Sequence, residues 1–368
     1  MRPAVSILMP LYNGERYIGE AIQSVLSQSF SDWELIVQDD CSTDGGLDLV
    51  KQHKDARIIY GANAHNLHIA GTLNAAFARA NGQYVQLLGQ DDRLLPDCLA
   101  THVRFMETHA KPGFSFCPPF VIDAAGQRMM EASHAWDEQY ENTDEVCDPS
   151  VALLLLFNYG CLPGSISTVM IRRNHLEKVG GFDSSYRICL DWNLWIRLAR
   201  IFGFGFVMDR LVEIRSHWDQ ESRNPNRMRD RITETYRCLA LLEDSLDPSL
   251  EPALRWGRKR RYAAEFMHQV YWALMHGQVQ EAIDLFRMIQ AYDGTIIPLG
   301  FWMWDLRRRL VRKLSGKGNI EIRMAFNSKW LRAQIRGFQG CCNKSRLPPG
   351  SDRDQRFAGG KFGNRRWD

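Results

Sequence analysis

The 368-residue chain lacks several features that would assign it to a specialised class of protein. Its nine cysteines include no C-x-x-C pair, which argues against a zinc site and indicates mostly reduced thiols. The formal net charge of +3 gives no indication of nucleic-acid binding. The most apolar stretch, "VALLLLFNYGCLPG", is too short and too interrupted to span a bilayer. The N-terminal residues have no signal-peptide pattern, so a cytoplasmic location is expected.

The first hundred residues alternate between short apolar strands and amphipathic helices. "AVSILMP", "WELIVQDD", "ARIIYG" and "QYVQLLG" have the composition of strands, whereas "ERYIGEAIQSVLSQ" spaces its apolar residues along one helical face. This repetition predicts a parallel sheet with helices on its faces, and ligands of such sheets bind at the carboxyl ends of the strands. Polar clusters follow three of the strands, at residues 10–13, 39–44 and 90–92. We therefore expect these clusters to meet at one edge of the sheet.

The residue types in these clusters could bind a nucleotide and a cation. Either carboxylate of the pair Asp91 and Asp92 could ligate Mg²⁺ or Mn²⁺, ions that need few protein carboxylates when the ligand brings phosphate oxygens. Asp39 or Asp40 could accept a hydrogen bond from a base, and the ring of Tyr12 could lie against it. Taken singly, each residue also has a structural interpretation as part of a solvated turn, a helix cap or a half-buried aromatic cluster.

The segments "SILMPLYNGERYIGEAIQSVLSQSF", "DWELIVQDDCSTDGG" and "GQYVQLLGQDDRLLP" together resemble the nucleotide-diphosphate-sugar-binding half of family 2 glycosyltransferases. The resemblance covers roughly residues 4–222. It implies an α/β fold of the GT-A type, a Rossmann-like mixed sheet flanked by helices, here with a C-terminal helical extension. It also implies that Asp92 is a metal ligand and that the donor pocket contains Pro10, Tyr12, Asp39, Asp40, Gln90 and Asp91.

Two positions depart from the family pattern. Gln90 stands where the family often has an aspartate, and its amide could bind a ribose or sugar hydroxyl but is a poor ligand for a hard dication. Leu73 precedes Asn74 where many relatives have an arginine. These departures leave open whether the metal is bound more weakly or is ligated from elsewhere, and which nucleotide is bound.

The second half of the resemblance supplies a candidate base. "VGGFDSSYRICLDWNLWIRLAR" is similar to the family segment that carries the catalytic carboxylate, and Asp191 matches its position. The resemblance implies that Asp191 accepts the proton of the acceptor hydroxyl, although it could instead cap the helix beginning at Trp192. In "EIRSHWDQES", His217 lies where relatives often have a histidine or similar polar residue that closes over the diphosphate. His217 could ligate the metal, and Arg215 could hold a phosphate.

We predict three regions along the chain. Residues 1–222 form the GT-A domain, with a donor half at 1–100 and an acceptor half at 101–222, followed by a helical region at 223–335 and a disordered tail at 336–368. "RRYAAEFMHQVYWALMHG" and "QVQEAIDLFRMIQ" predict a helical hairpin that turns at Gly277. Residues 300–314 predict a basic amphipathic helix, which could lie on an anionic membrane surface or pack on the catalytic domain.

The sequence therefore predicts an inverting glycosyltransferase that uses a nucleotide-diphosphate sugar and Mg²⁺ or Mn²⁺. The resemblance implies a carbohydrate or lipid-linked carbohydrate acceptor in bacterial surface-polysaccharide biosynthesis, without nucleic acid as a partner. One alternative is a non-catalytic sugar-nucleotide- or carbohydrate-binding protein, which the departures at Gln90 and Leu73 would mark. Another is a nucleotidyltransferase, but "MPLYNG" lacks the glycine- and arginine- or lysine-rich loop that would grip a triphosphate.

Overall fold

The structure is a computed structural model that describes residues 2–134, 137–140, 143, 145–218, 220, 224–246 and 252–293. The chain divides into two compact units, 1–321 and 322–368, and every described residue belongs to the first. The helix predicted at 300–314 and the tail predicted at 336–368 lie outside the described residues. The boundaries of the three predicted regions therefore stay predictions.

The described residues form eleven strands in two sheets. The strands are β1 (Val5–Leu11), β2 (Trp33–Asp39), β3 (Ile58–Ala62), β4 (Tyr84–Leu87), β5 (Arg93–Leu94), β6 (Phe114–Phe116), β7 (Pro119–Ile122), β8 (Val146–Cys147), β9 (Val169–Arg172), β10 (Phe204–Phe206) and β11 (Val212–Arg215). The main sheet has eight strands in the order β3-β2-β1-β4-β9-β6-β10-β8, and a small sheet has the order β5-β11-β7.

The main sheet is mixed because β9 runs against both of its neighbours. Strands β1 to β4 are parallel, as the strand–helix repetition predicts. Strand β9 is antiparallel to β4 and β6, and its first residue, Val169, lies opposite Phe116 at the carboxyl end of β6. The loop that precedes β9 therefore reaches the same edge of the sheet as the loops that follow β1, β2 and β4.

Strand β1 continues through Pro10 to Leu11, one residue beyond its predicted end. The carbonyl of Leu8 faces β4 and accepts a hydrogen bond from the N–H of Leu88, so Pro10, two residues later, faces the same side. Strand β4 has already ended at Leu87, so the sheet does not need a backbone N–H from Pro10 on that side.

Twelve helices surround the sheets in the described part of the chain. They are α1 (Ile18–Leu26), α2 (Gly46–Gln52), α3 (His68–Phe77), α4 (Cys98–Thr108), α5 (Met130–His134), α6 (Asp137–Tyr140), α7 (Pro149–Tyr159), α8 (Arg173–Lys178), α9 (Leu190–Phe202), α10 (Met228–Ser245), α11 (Pro252–Met275) and α12 (Val279–Asp293). Helix α1 buries the apolar face that its sequence predicts, and its residues Ile18, Ile22 and Val25 join the core of the main sheet.

The C-terminal helices confirm the predicted hairpin. Helices α11 and α12 pack against each other, and Gly277 between them has φ +72°, a left-handed conformation that favours glycine. Helix α10 packs on α9, in which Leu194 and Leu198 are buried and Ile201 is exposed. Within the described ranges, none of the helices combines the length and apolar character needed to cross a membrane.

Candidate active site

The loops after β1, β2 and β4 meet at one edge of the main sheet, as predicted. The side-chain amide of Gln90 accepts a hydrogen bond from Tyr12 N at 2.8 Å and donates one to Tyr12 O at 3.0 Å. The N–H of Asn13 donates to Ser42 Oγ at 2.9 Å, and Asn13 Oδ1 accepts from Thr43 N at 2.8 Å. The three polar clusters therefore form a single surface, on which Gln90 serves to hold the β1 loop in place.

Asp39 and Asp40 have different surroundings, although both are buried. Asp40 Oδ1 accepts hydrogen bonds from Asn63 Nδ2 at 2.8 Å and from Leu67 N at 2.6 Å, so this residue anchors the chain leading into α3. Asp39 Oδ2 accepts from Ser42 N at 3.2 Å, but Asp39 Oδ1 is buried and has no partner among the described residues. A buried acceptor without a donor is costly, which makes Asp39 the better candidate for binding a ligand N–H.

Three residues at this edge have strained backbone conformations. Asn13, Cys41 and His68 have φ values of 49°, 63° and 59°, in the left-handed region that residues other than glycine seldom adopt. They lie after Tyr12, after Asp40 and at the start of α3. Strain of this kind costs about 1–3 kcal/mol per residue and concentrates at functional sites.

Tyr12 presents an aromatic face to solvent at this edge. Its side chain is 50% exposed, while its backbone N–H and C=O are both held by Gln90. Pro10 lies two residues earlier and is partly buried at the end of β1. A ring that is fixed at its backbone and open on its surface could stack against a planar base.

Asp91 and His217 form a partly exposed pair of metal-ligating side chains at the site. His217 Nε2 lies 2.9 Å from Asp91 Oδ2, and the imidazole packs on the Tyr17 ring with the centroids 5.1 Å apart. Neighbouring ligands of an octahedral cation with bonds of about 2.1 Å are about 3 Å apart, so this pair has a suitable spacing for Mg²⁺ or Mn²⁺. The part of the chain that the structure describes contains no cluster of three or more metal-ligating residues. Water and phosphate oxygens would complete the shell of an ion held here.

Asp92 lies behind this pair rather than beside it. Its Oδ2 accepts a hydrogen bond from Ser167 Oγ at 2.5 Å, its Oδ1 accepts one from Arg215 N at 2.9 Å, and the residue is 6% exposed. Burial, followed by the charge of Asp91, raises the pKa of Asp92 to about 8. Asp91 is the more exposed carboxylate of the two, and the metal-ligand role predicted for Asp92 stays a prediction.

Arg215 is directed into the protein. Its side chain is fully buried, Nε donates to Asp91 O at 2.9 Å and Nη2 donates to Glu20 Oε2 at 2.7 Å. The guanidinium also lies over the Tyr17 ring, 4.4 Å from its centroid. Arg215 therefore fixes the backbone of the acidic turn formed by Asp91 and Asp92, and its predicted contact with a phosphate stays a prediction.

Arg215→Met should lower the free energy of unfolding by about 1–3 kcal/mol, because the carbonyl of Asp91 loses the buried donor that Arg215 supplies. Urea denaturation of the purified variant measures the change. Lys51→Met is the control, since it removes the exposed pair of Lys51 with Asp48 and should leave the midpoint unchanged. A wild-type midpoint for Arg215→Met would contradict the structural role of this residue.

Asp191 lies in the first turn of α9, where it has two hydrogen-bond donors. Its Oδ1 accepts from Trp192 N at 2.7 Å, and its Oδ2 accepts from Cys161 Sγ at 3.4 Å. Burial raises the pKa of the Asp191 carboxyl above its ordinary value, and the hydrogen bonds from Trp192 and Cys161 oppose this effect. A raised pKa makes a carboxylate a more effective proton acceptor near neutral pH.

The loop before β9 connects Asp191 to the acidic turn. Cys161 contacts Asp191, whereas Ser165 Oγ lies 3.4 Å from Asp92 Oδ2 and Ser167 contacts the same oxygen. Four residues of extended chain span at most about 14 Å, so Cys161 and Ser165 cannot lie farther apart than that. The loop before β9 therefore contacts both the candidate base and the acidic turn.

Asn74 makes a second connection between the two halves of the site. Its Nδ2 donates to Phe182 O at 2.8 Å, and its Oδ1 accepts from Phe182 N at 2.9 Å. Leu73, the residue that departs from the family pattern, is fully buried. Helix α3 therefore holds the Gly-Gly-Phe-Asp segment in place through Asn74, while Leu73 contributes to packing.

Known proteins share parts of this sequence and its fold. Residues 6–162 match the model of the family described as Glycosyl transferase family 2. This segment is a family 2 glycosyltransferase domain. EpsE of Bacillus subtilis (strain 168), which is named as a glycosyltransferase, is 43% identical over 110 residues, 29% of this chain and 40% of its own length. TuaG of the same strain, named as a teichuronic acid biosynthesis glycosyltransferase, is 36% identical over 149 residues, covering 39% of this chain and 59% of its own length.

Solved structures share the fold over a greater length. S. aureus TarS 1-349 in complex with UDP-GlcNAc has a TM-score of 0.57 at 16% identity, covering 86% of this chain and 92% of that chain. Mannosyltransferase PcManGT from Pyrobaculum calidifontis, in complex with GDP-Man and Mn²⁺, has a TM-score of 0.53 at 17% identity, covering 83% of this chain and 88% of that chain. These similarities confirm the GT-A fold. The chain spans only about half the length of the curated relatives EpsE and TuaG.

The candidate site extends beyond the matched segment. Asp191 and His217 follow residue 162, as do three further residues that contact Asp92, namely Ser165, Ser167 and Arg215. Sequence reasoning missed Cys161, Ser165 and Ser167. The one available signal was the polar run "GSIST", which separates the apolar helix α7 from the apolar strand β9.

Proposed function

We propose that this protein is an inverting glycosyltransferase that moves a sugar from a nucleotide-diphosphate donor to a hydroxyl of a carbohydrate or lipid-linked carbohydrate acceptor. The observation that most supports it is that the loop before β9 contacts both Asp191 and Asp92. In the proposed cleft, the Asp91–His217 pair would lie at one end and Asp191 at the other. The name of TuaG supports a role in the biosynthesis of a bacterial surface polysaccharide.

The nucleotide would bind where the loops after β1 and β2 meet. Asp39 Oδ1 has no protein donor among the described residues and could accept a hydrogen bond from a base N–H. The exposed ring of Tyr12 could stack on the same base, with Pro10 and Gln90 fixing its backbone. The complexes of TarS with UDP-GlcNAc and of PcManGT with GDP-Man support a nucleotide sugar as the donor.

The diphosphate would lie beside Asp91 and His217. These side chains could hold a divalent cation, and the Mn²⁺ bound to PcManGT supports such a site. A cation bound there supplies neutralisation of the charge that develops on the leaving diphosphate. Asp92 and Arg215 would keep the acidic turn in place, the former through its hydrogen bonds and the latter through the carbonyl of Asp91.

Asp191 would act as the general base at the other end of the cleft. The acceptor oxygen forms a bond to the anomeric carbon as the bond from that carbon to the diphosphate breaks, which inverts the configuration. The proton of the acceptor hydroxyl passes to the Asp191 carboxylate, and the electron pair of the broken bond leaves with the diphosphate. The first turn of α9 favours the ionised carboxylate before the transfer.

Thermal unfolding with UDP, GDP or TDP, each with and without Mn²⁺, tests the proposal. We expect one nucleotide to raise the melting temperature only when Mn²⁺ is present, because RT ln(1 + [L]/Kd) adds to the stability of the folded state. The matching nucleotide sugar should then release its nucleotide diphosphate during turnover, which a non-catalytic binding protein would not produce. No shift with any nucleotide would contradict the proposal.

A further inference from the structure

Glu234 is a buried carboxylate that belongs to helix α10, outside the matched family segment. The residue is 4% exposed. Its Oε1 accepts a hydrogen bond from Arg187 N at 2.8 Å, and its Oε2 accepts hydrogen bonds from Ile188 N and Cys189 N, each at 2.8 Å. One side chain of the helical region thus binds three consecutive backbone N–H groups of the segment that leads into α9.

These contacts fix the backbone directly before Asp191. Cys189 is the residue that precedes α9, and its side chain makes no capping hydrogen bond to that helix. The first N–H groups of a helix have no acceptors within the helix. A carboxylate from another part of the chain can accept their hydrogen bonds. Hydrogen bonds to an ionised acceptor are short and strong, and three of them leave the segment little freedom to move.

The helical region also packs on the residue after Asp191. Helix α10 lies against α9, and the ring of Trp192 lies 5.9 Å from that of Tyr262 on α11, measured between centroids. The segment with Asp191 is therefore held at its backbone by Glu234 and at Trp192 by α11. Asp191 would lose its position if this support were removed, even though none of these groups touches the cleft residues Asp91 and His217.

We propose that Glu234 is a positioning residue for Asp191, through which the C-terminal helical region takes part in glycosyl transfer. This inference rests on the proposed function. Displacement of a catalytic group by about 1 Å can lower a rate by about 100-fold, so the three backbone hydrogen bonds of Glu234 have a direct consequence for turnover. Donor binding involves the other end of the cleft and should not depend on Glu234.

Glu234→Gln tests the inference with little change in shape. Glutamine keeps one oxygen acceptor but replaces the other with an N–H₂ group that repels the backbone donors. We expect kcat to fall by about 10-fold, with the affinity for the nucleotide and Mn²⁺ within two-fold of wild type. Hydrogen exchange followed by mass spectrometry should show faster exchange at the amides of residues 187–189.

The pH profile provides a readout that a general loss of stability would not change. The groups that face Asp191 are Cys161 from the loop before β9, Cys189 at the start of its own helix, and Cys238 and Glu234 from α10. The charge of Glu234 adds to burial in raising the pKa of Asp191. Its removal should lower that pKa, so the acid limb of kcat should move to lower pH in Glu234→Gln.

Leu242→Ala is the matched control, because Leu242 is a buried residue of α10 two turns beyond Glu234. It should lower the melting temperature but leave kcat at 25 °C within two-fold of wild type and the exchange at 187–189 unchanged. A kcat for Glu234→Gln within two-fold of wild type, or wild-type exchange at residues 187–189, would overturn the inference. A wild-type protein that binds no nucleotide and turns over no donor would contradict the proposed function instead.

Discussion

Asp191→Asn should lower kcat by at least about 100-fold, because the amide cannot accept the proton of the attacking hydroxyl. The substitution keeps the size of the side chain and the acceptor oxygen for the N–H of Trp192, so α9 should begin as it does in the wild type. Affinity for the nucleotide diphosphate should stay within a few-fold, since the nucleotide would bind at the other end of the cleft. Release of the nucleotide diphosphate and isothermal titration with the nucleotide measure the two effects separately.

Asp230→Asn is a matched control for this substitution. Asp230 also lies in the first turn of a helix, α10, where its partner is Arg227. The same chemical change at this position should leave kcat within two-fold of wild type, since Asp230 lies outside the cleft. Turnover by Asp191→Asn equal to that of Asp230→Asn would remove Asp191 from the mechanism and return it to the role of a helix cap.

Asp91→Asn and His217→Ala should each remove most of the Mn²⁺-dependent part of nucleotide binding. Loss of even an indirect partner of a metal ligand costs about 10–100-fold in affinity, and a direct ligand should cost at least as much. Asp91 and His217 are the partly exposed pair, with Nε2 and Oδ2 2.9 Å apart. Titration of each variant with the nucleotide, at a series of Mn²⁺ concentrations, measures the loss.

Asp92→Asn separates the two carboxylates of the acidic turn. The variant should keep the Mn²⁺ dependence of nucleotide binding but lose about 1–3 kcal/mol of stability, because a buried donor, either Ser167 Oγ or Arg215 N, would face an N–H₂ group. Urea denaturation measures the stability. Loss of the Mn²⁺ dependence in Asp92→Asn, together with its retention in Asp91→Asn, would instead identify Asp92 as the metal ligand.

The sequence predicts the donor half of the fold because the relevant signals are local. Strands β1 to β4 are short apolar runs followed at once by polar residues, and the carboxyl ends of parallel strands share an edge. The meeting of Tyr12 with Gln90 follows from this rule alone. The helical hairpin is equally local, since it depends on apolar spacing and on a glycine at the turn.

The directions of the charged side chains could not be predicted, because they depend on contacts far apart in the sequence. Arg215 binds the carbonyl of Asp91 from 124 residues away, and Ser167 binds Asp92 from 75 residues away. Asp91 and Asp92 lie in the turn after β4, where the sequence does not say which of the two carboxylates is enclosed. Only the antiparallel strand β9, with the serines that precede it, shows that Asp92 is the enclosed one.

The reversed direction of β9 has a consequence for how the substrate preference of this fold can change. The loop that leads into β9 carries Cys161 beside the proton acceptor and Ser167 beside the acidic turn. An insertion or replacement within this loop would shift both the acceptor hydroxyl beside Asp191 and the leaving diphosphate beside the acidic turn. We expect natural or engineered variation in this loop to alter selectivity for the acceptor and release of the nucleotide as linked traits, whereas the outward-facing Tyr12 can vary alone.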